Sequence, residues 1–310
     1  MTPGICTFSN KINGLYHLAS MTKKLTQFLP AIVLTSASLL SYAQPANVMD
    51  GSEARVYKKI GETELSLHIF QPAGKKGQVL QPAIIFFFGG GWNKGTVNQF
   101  VPHSKHFAGL GMVAVVADYR VRSRHDVTPF DCVADAKSAV RWLRQHAAEY
   151  RIDPDRIVAA GGSAGGHLAA STALVDGLDA DGEDLKVSAR PNALVLFNPA
   201  LDMIELRKHM RADSLRAKGI SPVHHMRKGA PPTIIFHGTA DTTVPFTQAT
   251  RFCDAMKEYG NSCEVVPFEG RTHAFFNLSK GGGADYRTTI KETEEFLMSL
   301  GYPLYQTDKK

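Results

Sequence analysis

The sequence has few cysteines, and none of them is arranged as a metal site would require. Four cysteines occur among 310 residues, with no C-x-x-C pair and no His/Cys spacing typical of zinc binding. Clustered basic runs are also missing, although the formal net charge is +6. A mild and dispersed positive excess gives little reason to expect a nucleic acid partner. We therefore predict no metal, no cofactor and no nucleic acid.

A long uninterrupted hydrophobic run is absent as well, which excludes a stable membrane span. The apolar run Phe28–Leu40 is short and broken by a proline, a threonine and serines. Two lysines precede it, and small residues stand at the −3 and −1 positions of a cleavage site after Ala43. We predict that residues 1–43 are a leader containing a secretory signal peptide (about 21–43), and that the protein is secreted, periplasmic or extracellular. A buried helix is the alternative reading of this run.

Three cysteines, Cys132, Cys253 and Cys263, follow the predicted leader, and two of them can form a disulfide. Cys253 lies on a helix-like stretch, and Cys263 opens the strand-like run that follows it. A helix packed against its following strand can bring two such positions into disulfide range. A Cys253–Cys263 bond and two free buried thiols both fit the sequence, and Cys132 is left unpaired in either case.

Residues 44–310 read as one α/β domain without internal repeats. Residues 54–71 alternate in two runs about a Gly-Glu turn, which predicts a hairpin. Apolar strand-like runs then alternate with helix-like segments, which predicts a mostly parallel central sheet flanked by helices on both faces. The predicted strands are 82–88, 112–119, 156–162, 193–199, 233–238 and 263–268. The predicted helices lie near 98–109, 129–149, 246–259 and 285–299, with a further helix starting at Ala164.

The strongest chemical signal is a serine on a tight glycine-rich turn. Gly161–Gly165 reads G-x-S-x-G between a strand-like run and a helix-like run. Such a turn raises the hydroxyl of Ser163 above the carboxyl edge of the sheet, and small neighbours are needed because strand and helix nearly touch there. A phosphate-binding loop would require G-x-G-x-x-G or a terminal lysine, and neither is present. The motif favours Ser163 as a nucleophile.

A serine nucleophile needs a histidine base oriented by a carboxylate. Asp241 follows the strand-like run TIIFHG, and His273 lies in a loop after the last one. The order Ser163, Asp241, His273 is that of the α/β-hydrolases. Asp202 also follows a strand and is an alternative acid. Of twelve histidines, His273 alone has both the loop position and the chain order.

The stretch IIFFFGGGWNKG, residues 84–95, supplies candidate amide donors. Three glycines directly after a buried strand bring bare N–H groups close to a substrate carbonyl, because no Cβ stands in the way. The backbone N–H after the nucleophile, that of Ala164, is a second source of donors for an oxyanion. Trp92 either lines the acyl or alcohol pocket or packs within its own loop.

Together, the segments GGGW, GGSAGGHLA, HGTADTTVP and GRTHAFF, with DYR at 118–120 and DAKSAVRWLRQH at 135–146, resemble the α/β-hydrolase superfamily. More narrowly, they resemble esterases related to hormone-sensitive lipase and the bacterial acetyl and carbohydrate esterases that share an HGGGW motif. The resemblance covers roughly residues 54–300. It implies serine hydrolysis of carboxylic esters, without a cofactor. It also implies a catalytic triad of Ser163, Asp241 and His273, with Gly90, Gly91 and Ala164 as oxyanion donors.

One residue departs from that pattern, and the substrate is less sharply indicated than the chemistry. Phe88 stands where the commonest family motif has a histidine that braces the loop, which leaves the loop's hydrogen bonding open. Only about ten residues separate the predicted cleavage site from the first strand, so we expect little or no cap. An open cleft suits short-acyl, acetyl-type esters, including those on polysaccharides. A feruloyl-type or other aryl esterase is the alternative, and a catalytically silent binding protein on this fold is an alternative of another class.

Overall fold

Eight strands form one sheet, in which the six predicted buried strands are neighbours. The computed structural model describes residues 49–73, 79–207 and 213–305, which fall within a single compact unit. The predicted leader, residues 1–43, lies outside the described residues and stays a prediction. The strands are β1 Glu53–Ile60, β2 Thr63–Phe70, β3 Gln81–Phe87, β4 Val113–Ala117, β5 Ile152–Gly162, β6 Ala193–Phe197, β7 Thr233–Gly238 and β8 Cys263–Phe268.

The sheet is parallel except at one end. Its order is β1-β2-β4-β3-β5-β6-β7-β8, with β1 and β2 forming the predicted hairpin and β2 antiparallel to β4. From β4 to β8 every pairing is parallel; Ile85, for example, pairs with Val115 on one side and Ala159 on the other. Every residue of β3 is buried. Because alternate side chains point to opposite faces, both faces of the central sheet are covered, as expected for this class.

The helices follow the strands as the alternating pattern predicted. They are α1 Val101–Gly109, α2 Arg122–His125, α3 Pro129–Gln145, α4 Ala147–Tyr150, α5 Ala164–Leu174, α6 Ser214–Lys218, α7 Thr247–Glu258 and α8 Ala284–Ser299. All residues of α5 are buried, so the helix that follows the glycine-rich turn lies in the centre of the domain. No helix in the described ranges is both long and apolar enough to cross a bilayer.

A buried ion cluster joins the hairpin to α3 and accounts for the DYR and DAK segments. Asp135 is 0% exposed and accepts hydrogen bonds from the Arg120 guanidinium at 2.8 and 2.9 Å. The Lys58 ammonium lies 2.8 Å from the same carboxylate. Removing one partner would leave an uncompensated buried charge, a change that is typically strongly destabilising. Arg120 and Asp135 of these two segments, together with Lys58, therefore stabilise the packing of the hairpin against α3.

The structure resolves the cysteine alternatives in favour of the bond. Cys253 on α7 and Cys263 at the start of β8 form a disulfide, with 5.2 Å between their Cα atoms. Cys132 is a free, buried thiol within 3.1 Å of the Arg120 carbonyl oxygen, and burial raises its pKa. Such a thiol is packed as a small apolar side chain.

One buried histidine gives a stability prediction. His103 on α1 is 0% exposed among the rings of Phe86, Phe100, Phe197 and Tyr286, and neither ring nitrogen has a hydrogen-bond partner. We expect His103→Leu to raise the free energy of unfolding at pH 7 by about 1 kcal/mol, since an unsatisfied buried polar group is removed. Urea unfolding of the two proteins measures the difference.

The same substitution tests the pH dependence of stability. Burial lowers the pKa of His103 to about 3, whereas an unfolded histidine titrates near 6.5. As the pH falls through 6.5, the unfolded state binds the proton first, so stability present above pH 6.5 is lost progressively toward pH 3. His103→Leu should therefore lose less stability than the wild type between pH 7 and pH 5. Equal losses in both proteins would contradict this assignment.

Candidate active site

The predicted nucleophile lies on a sharp turn between β5 and α5. Ser163 adopts φ 54° and ψ −119°, a conformation that a non-glycine residue adopts only under constraint. Its N–H donates to the carbonyl of Phe197, at 2.9 Å. A Cβ on Gly161 would overlap the carbonyl of Gly165, and one on Gly165 would overlap the carbonyl of Phe87. The glycines of G-x-S-x-G are thus required by close backbone approach.

The predicted base reaches this serine. His273, in the loop after β8, lies with Nε2 2.9 Å from Ser163 Oγ and Nδ1 2.6 Å from Asp241 Oδ2. Residues 110 and 32 positions apart in the chain therefore form one hydrogen-bonded series. In this arrangement the imidazole can take the hydroxyl proton on one side while the carboxylate holds the other ring nitrogen.

Asp241 is held as a carboxylate by several donors. Its Oδ1 accepts from the backbone N–H groups of Thr243 and Val244, at 2.9 and 3.0 Å. Burial alone would raise its pKa, but hydrogen bonds from His237, His273 and the Val244 amide outweigh burial and keep the pKa of Asp241 well below its usual range. His237 Nε2 lies 3.4 Å from Asp241 Oδ2 and 2.9 Å from the Val244 carbonyl oxygen.

The alternative acid is engaged elsewhere. Asp202 Oδ1 accepts from the N–H groups of Ile204 and Glu205, and Oδ2 lies 3.4 Å from the Arg251 guanidinium. Its side chain therefore closes a turn after β6. The structure brings Asp241, and not Asp202, to His273.

The glycine-rich loop presents free amides beside the serine. Gly90 has φ 134° and Gly91 has φ 61°, and a Cβ on Gly90 would overlap the Lys94 carbonyl. The Gly90 carbonyl closes the turn by accepting from the N–H groups of Asn93 and Lys94. Neither Gly90 nor Gly91 donates to an acceptor within the described part of the chain. Ala164 begins α5, so its N–H has no acceptor within the helix.

Phe88, the departure from the family pattern, is held by its neighbour Tyr119. The two rings stack, with centroids 4.1 Å apart and an interplanar angle of 18°, and both side chains are fully buried. The Tyr119 hydroxyl donates to the Phe88 carbonyl oxygen at 2.7 Å. Ring packing and one buried hydrogen bond thus support the loop where the commonest motif has a histidine. Tyr119 belongs to the DYR segment, whose role the sequence alone did not reveal.

The position of Trp92 corrects one sequence prediction. Its side chain is 5% exposed and is not among the residues lining the cavity above Ser163. Its indole N–H donates to His167 Nδ1 at 3.1 Å, and His167 in turn donates from Nε2 to the Ile220 carbonyl oxygen. Burial lowers the pKa of His167 to about 4, consistent with a neutral ring that both accepts and donates. Trp92 therefore packs against α5 and away from the cavity, because its N–H has a buried partner in His167.

An open cavity of about 560 Å³ lies over the serine. Gly89–Gly91, Ser163 and His273 line it, together with Gln99, Asn198 and Phe276, which the sequence analysis did not select. Asn198 directly follows β6 at the carboxyl edge of the sheet, a position that could have marked it. Phe276 falls within the quoted segment GRTHAFF, whereas no sequence signal distinguishes Gln99.

A larger cavity of about 860 Å³ lies at the opposite edge of the sheet. Its lining includes Pro191 and Asn192, just before β6, and Pro231 and Pro232, just before β7. It contains none of the predicted catalytic residues. In parallel sheets the chemistry gathers at the carboxyl ends of the strands, so we assign the smaller cavity as the candidate active site.

Within the described ranges, no cluster of three or more His, Cys, Asp and Glu side chains could hold a metal ion. The groups of the site that can react or carry charge are the hydrogen-bonded side chains of Ser163, His273 and Asp241. Backbone N–H groups of the glycine loop lie beside them. What this set supports is nucleophilic attack, proton transfer and stabilisation of a developing negative charge.

Several known proteins are similar to this chain in sequence. The probable carboxylic ester hydrolase LipM of Mycobacterium tuberculosis is 31% identical over 241 residues, which cover 71% of this chain and 54% of LipM. A probable isoprenylcysteine alpha-carbonyl methylesterase of Arabidopsis thaliana is 27% identical, with 71% and 51% covered. This chain thus spans about half the length of these curated relatives.

A solved structure is similar over nearly its whole length. The apo form of Thermogutta terrifontis esterase 2 shares 51% sequence identity and a TM-score of 0.79, with 84% of this chain and 98% of that chain covered. The model of the BD-FAE family matches residues 67–256, which is more than half of the chain. The nucleophile turn, Asp241 and most of the sheet lie inside that match. The chain therefore belongs to the BD-FAE family and has the α/β-hydrolase fold.

Proposed function

We propose that this protein is a serine esterase that hydrolyses carboxylic esters through an acyl-enzyme intermediate. One observation carries the proposal: Ser163 Oγ, His273 and Asp241 form a continuous hydrogen-bonded series, at 2.9 and 2.6 Å, beside free backbone amides in an open cavity. A binding protein has no need of a nucleophile hydrogen-bonded to a base. The relatives and solved neighbours are named as ester hydrolases and esterases, which supports the same activity.

The mechanism follows from the geometry. Ser163 Oγ attacks the ester carbonyl carbon while its proton passes to His273 Nε2. The tetrahedral intermediate collapses as His273 gives that proton to the leaving alcohol, and the acyl group stays on Ser163. Water then gives a proton to His273 and attacks the acyl carbon, and His273 returns the proton to Ser163 Oγ as the acid leaves. Asp241 keeps the proton of His273 on Nδ1 throughout.

The negative charge on the carbonyl oxygen needs donors that are in place before the reaction. Gly90 and Gly91 on the loop and Ala164 at the start of α5 are the proposed donors. In serine hydrolases, removing one such donor typically weakens transition-state stabilisation by about 3–4 kcal/mol. The conformation of Gly90 requires glycine, so a side chain there should distort the loop as well as the donor.

We propose short-acyl esters as the substrates, with acetyl groups on carbohydrate as the finer candidate. The cavity is open at the surface, which leaves room for a bulky alcohol. Structures of Thermogutta terrifontis esterase 2 with bound propionate and bound butyrate show short acids in that similar protein. Acids of this size match an acyl group placed between Phe276 and the glycine loop.

We also propose that the protein works outside the cytoplasm. The predicted signal peptide with cleavage after Ala43 supports this location. The Cys253–Cys263 disulfide supports it independently, since such bonds persist mainly in oxidising compartments.

One labelling experiment distinguishes the esterase from a silent binding protein. The purified protein is treated with diethyl 4-nitrophenyl phosphate and its mass is measured, followed by peptide mapping. Thermogutta terrifontis esterase 2 has been solved phosphorylated by this class of reagent. We expect one adduct, on Ser163, and loss of ester turnover in proportion to it. No adduct and no turnover would identify a silent protein.

The substrate class is tested with 4-nitrophenyl acetate, butyrate and octanoate, methyl ferulate and an acetylated xylan. We expect kcat/KM to be highest for the short acyl esters and to fall by at least about tenfold for octanoate, because the aromatic and glycine walls limit acyl length. Preference for methyl ferulate would favour the feruloyl-type alternative instead.

A further inference from the structure

The oxyanion loop and the histidine loop are joined by side-chain amides that the mechanism above does not use. Gln99 Oε1 accepts from the N–H of Gly89 at 2.7 Å, at the entrance of the glycine loop. Gln99 Nε2 donates to Asn277 Oδ1 at 3.1 Å, across 178 positions of sequence. Asn277 Nδ2 donates to the carbonyl oxygen of Ala274, the residue after His273, at 2.9 Å.

The direction of every hydrogen bond in this connection is determined by its ends. A backbone N–H at Gly89 can only donate, so the oxygen of Gln99 must face it. The amide nitrogen of Gln99 then faces Asn277 Oδ1, which leaves the nitrogen of Asn277 for the Ala274 carbonyl. One self-consistent orientation of both amides satisfies all three bonds.

Both loops are in conformations that need such support. Ala274 has φ 64°, which is unusual for a residue with a Cβ, and its N–H donates to Asn198 Oδ1 at 2.9 Å. Side-chain amides thus bind both backbone polar groups of Ala274, the residue that follows His273. On the other loop, the bond from Gly89 to Gln99 turns that N–H away from substrate and leaves Gly90 and Gly91 as the free donors.

We propose that Gln99 is a positioning residue that, through Asn277, couples the oxyanion loop to the loop of His273. The inference rests on the proposed esterase function. Gln99 holds the glycine loop in place through the N–H of Gly89. Asn277 holds the side-chain amide of Gln99 and the carbonyl group of Ala274. Small displacements of preorganised donors reduce rate much more than they reduce binding, so the coupling acts on kcat.

The test uses Gln99→Leu, Asn277→Leu and the double variant. We expect each single substitution to lower kcat for 4-nitrophenyl butyrate about tenfold, with KM within about twofold. The double variant should be no slower than the slower single variant within about twofold, instead of showing the product of the two losses, because both substitutions break the same connection. Asn277 does not line the cavity, so its effect cannot come from substrate contact.

The inhibition constants of two inhibitors distinguish a positioning role of Gln99 from a merely structural one. Ser163 Oγ adds to the boron atom of phenylboronic acid and gives a tetrahedral anion that resembles the transition state. Butyrate instead mimics the bound product. Across the variants, the inhibition constant of the boronic acid should rise in step with the loss of kcat/KM, and that of butyrate should stay within about twofold.

The matched control is Gln248→Leu. Gln248 is a glutamine whose Oε1, like that of Gln99, accepts from the backbone of a loop, here from the N–H groups of Leu201 and Asp202. Its Nε2 likewise donates to a side chain, that of Glu205. Neither Leu201 nor Asp202 lines the cavity. We expect this variant to lower the thermal midpoint while kcat stays within about twofold. If Asn277→Leu fails to fold, the side chain of Asn277→Asp still accepts from Gln99 but cannot donate to the Ala274 carbonyl, which keeps only the longer backbone bond from residue 277.

The possible results separate the inference from the function on which it rests. Turnover that is lost in Ser163→Ala but unchanged in both Gln99→Leu and Asn277→Leu overturns the coupling and leaves the proposed esterase function intact. A loss confined to Gln99→Leu shows direct substrate contact and overturns it too. A wild-type protein without turnover and without a Ser163 adduct overturns the proposed function and this inference together.

Discussion

Replacing Ser163 by alanine is expected to lower kcat for short-acyl esters by at least about 10⁴-fold without unfolding the protein. Within the described residues, no other hydroxyl is hydrogen-bonded to His273 Nε2, so no other hydroxyl shares this base for forming an acyl-enzyme. The oxyanion amides and the cavity remain, and they account for any residual rate above the uncatalysed reaction. Initial rates with 4-nitrophenyl acetate, together with circular dichroism and a urea titration, measure both parts of the expectation.

A matched control for this substitution lies on the same helix. Ser171 on α5 is buried and has its hydroxyl 3.3 Å from His167 Nε2, within the packing that also holds Trp92. Ser171→Ala should keep kcat within about twofold, because its hydroxyl faces no group of the site. The organophosphate adduct should be absent in Ser163→Ala and present in Ser171→Ala. Retention of more than about a tenth of the activity in Ser163→Ala would exclude the serine mechanism.

The second large effect is expected at Asp241. Asp241→Asn should lower kcat about 10³- to 10⁴-fold, because an amide nitrogen facing His273 Nδ1 favours the wrong tautomer of the imidazole. In the wild type, the low pKa of Asp241 keeps it ionised across the working range. Titration of Asp241 should therefore contribute no limb to the pH profile of kcat/KM in that range.

Asp202→Asn is the paired variant for this prediction. An asparagine can still accept from the N–H groups of Ile204 and Glu205, and the exposed contact with Arg251 contributes little to stability. We expect kcat within about twofold of the wild type. Equal losses in both variants, measured with the same ester, would mean that the histidine is oriented by neither carboxylate as described.

Much of the fold follows from local patterns. Continuous apolar runs of five to eight residues predicted the parallel strands, and the Gly-Glu turn predicted the hairpin of β1 and β2. The tight turn at Ser163 was equally visible, because the close approach of β5 and α5 leaves no room for a Cβ on Gly161 or Gly165. The order of Ser163, Asp241 and His273 then placed the candidate site at one edge of the sheet.

Sequence reasoning was less successful where two residues compete for one partner. Asp202 and Asp241 both follow strands, and only the path of each loop determines which carboxylate meets His273. Trp92 and Phe88 stand in the same loop; their roles depend on His167 and Tyr119, which pack against them from distant segments. Composition and spacing do not contain those distances.

By itself, the sequence determined the class of fold, the tight turn at Ser163 and the glycine-rich loop, because these depend on neighbours within a few residues. Only the tertiary structure decided the acid that meets His273, the Cys253–Cys263 bond and the connection of Gly89 through Gln99 and Asn277 to Ala274. Hydrogen bonds and disulfides depend on separations of a few ångströms between groups that can be far apart in the chain, and such separations exist only once the chain has folded.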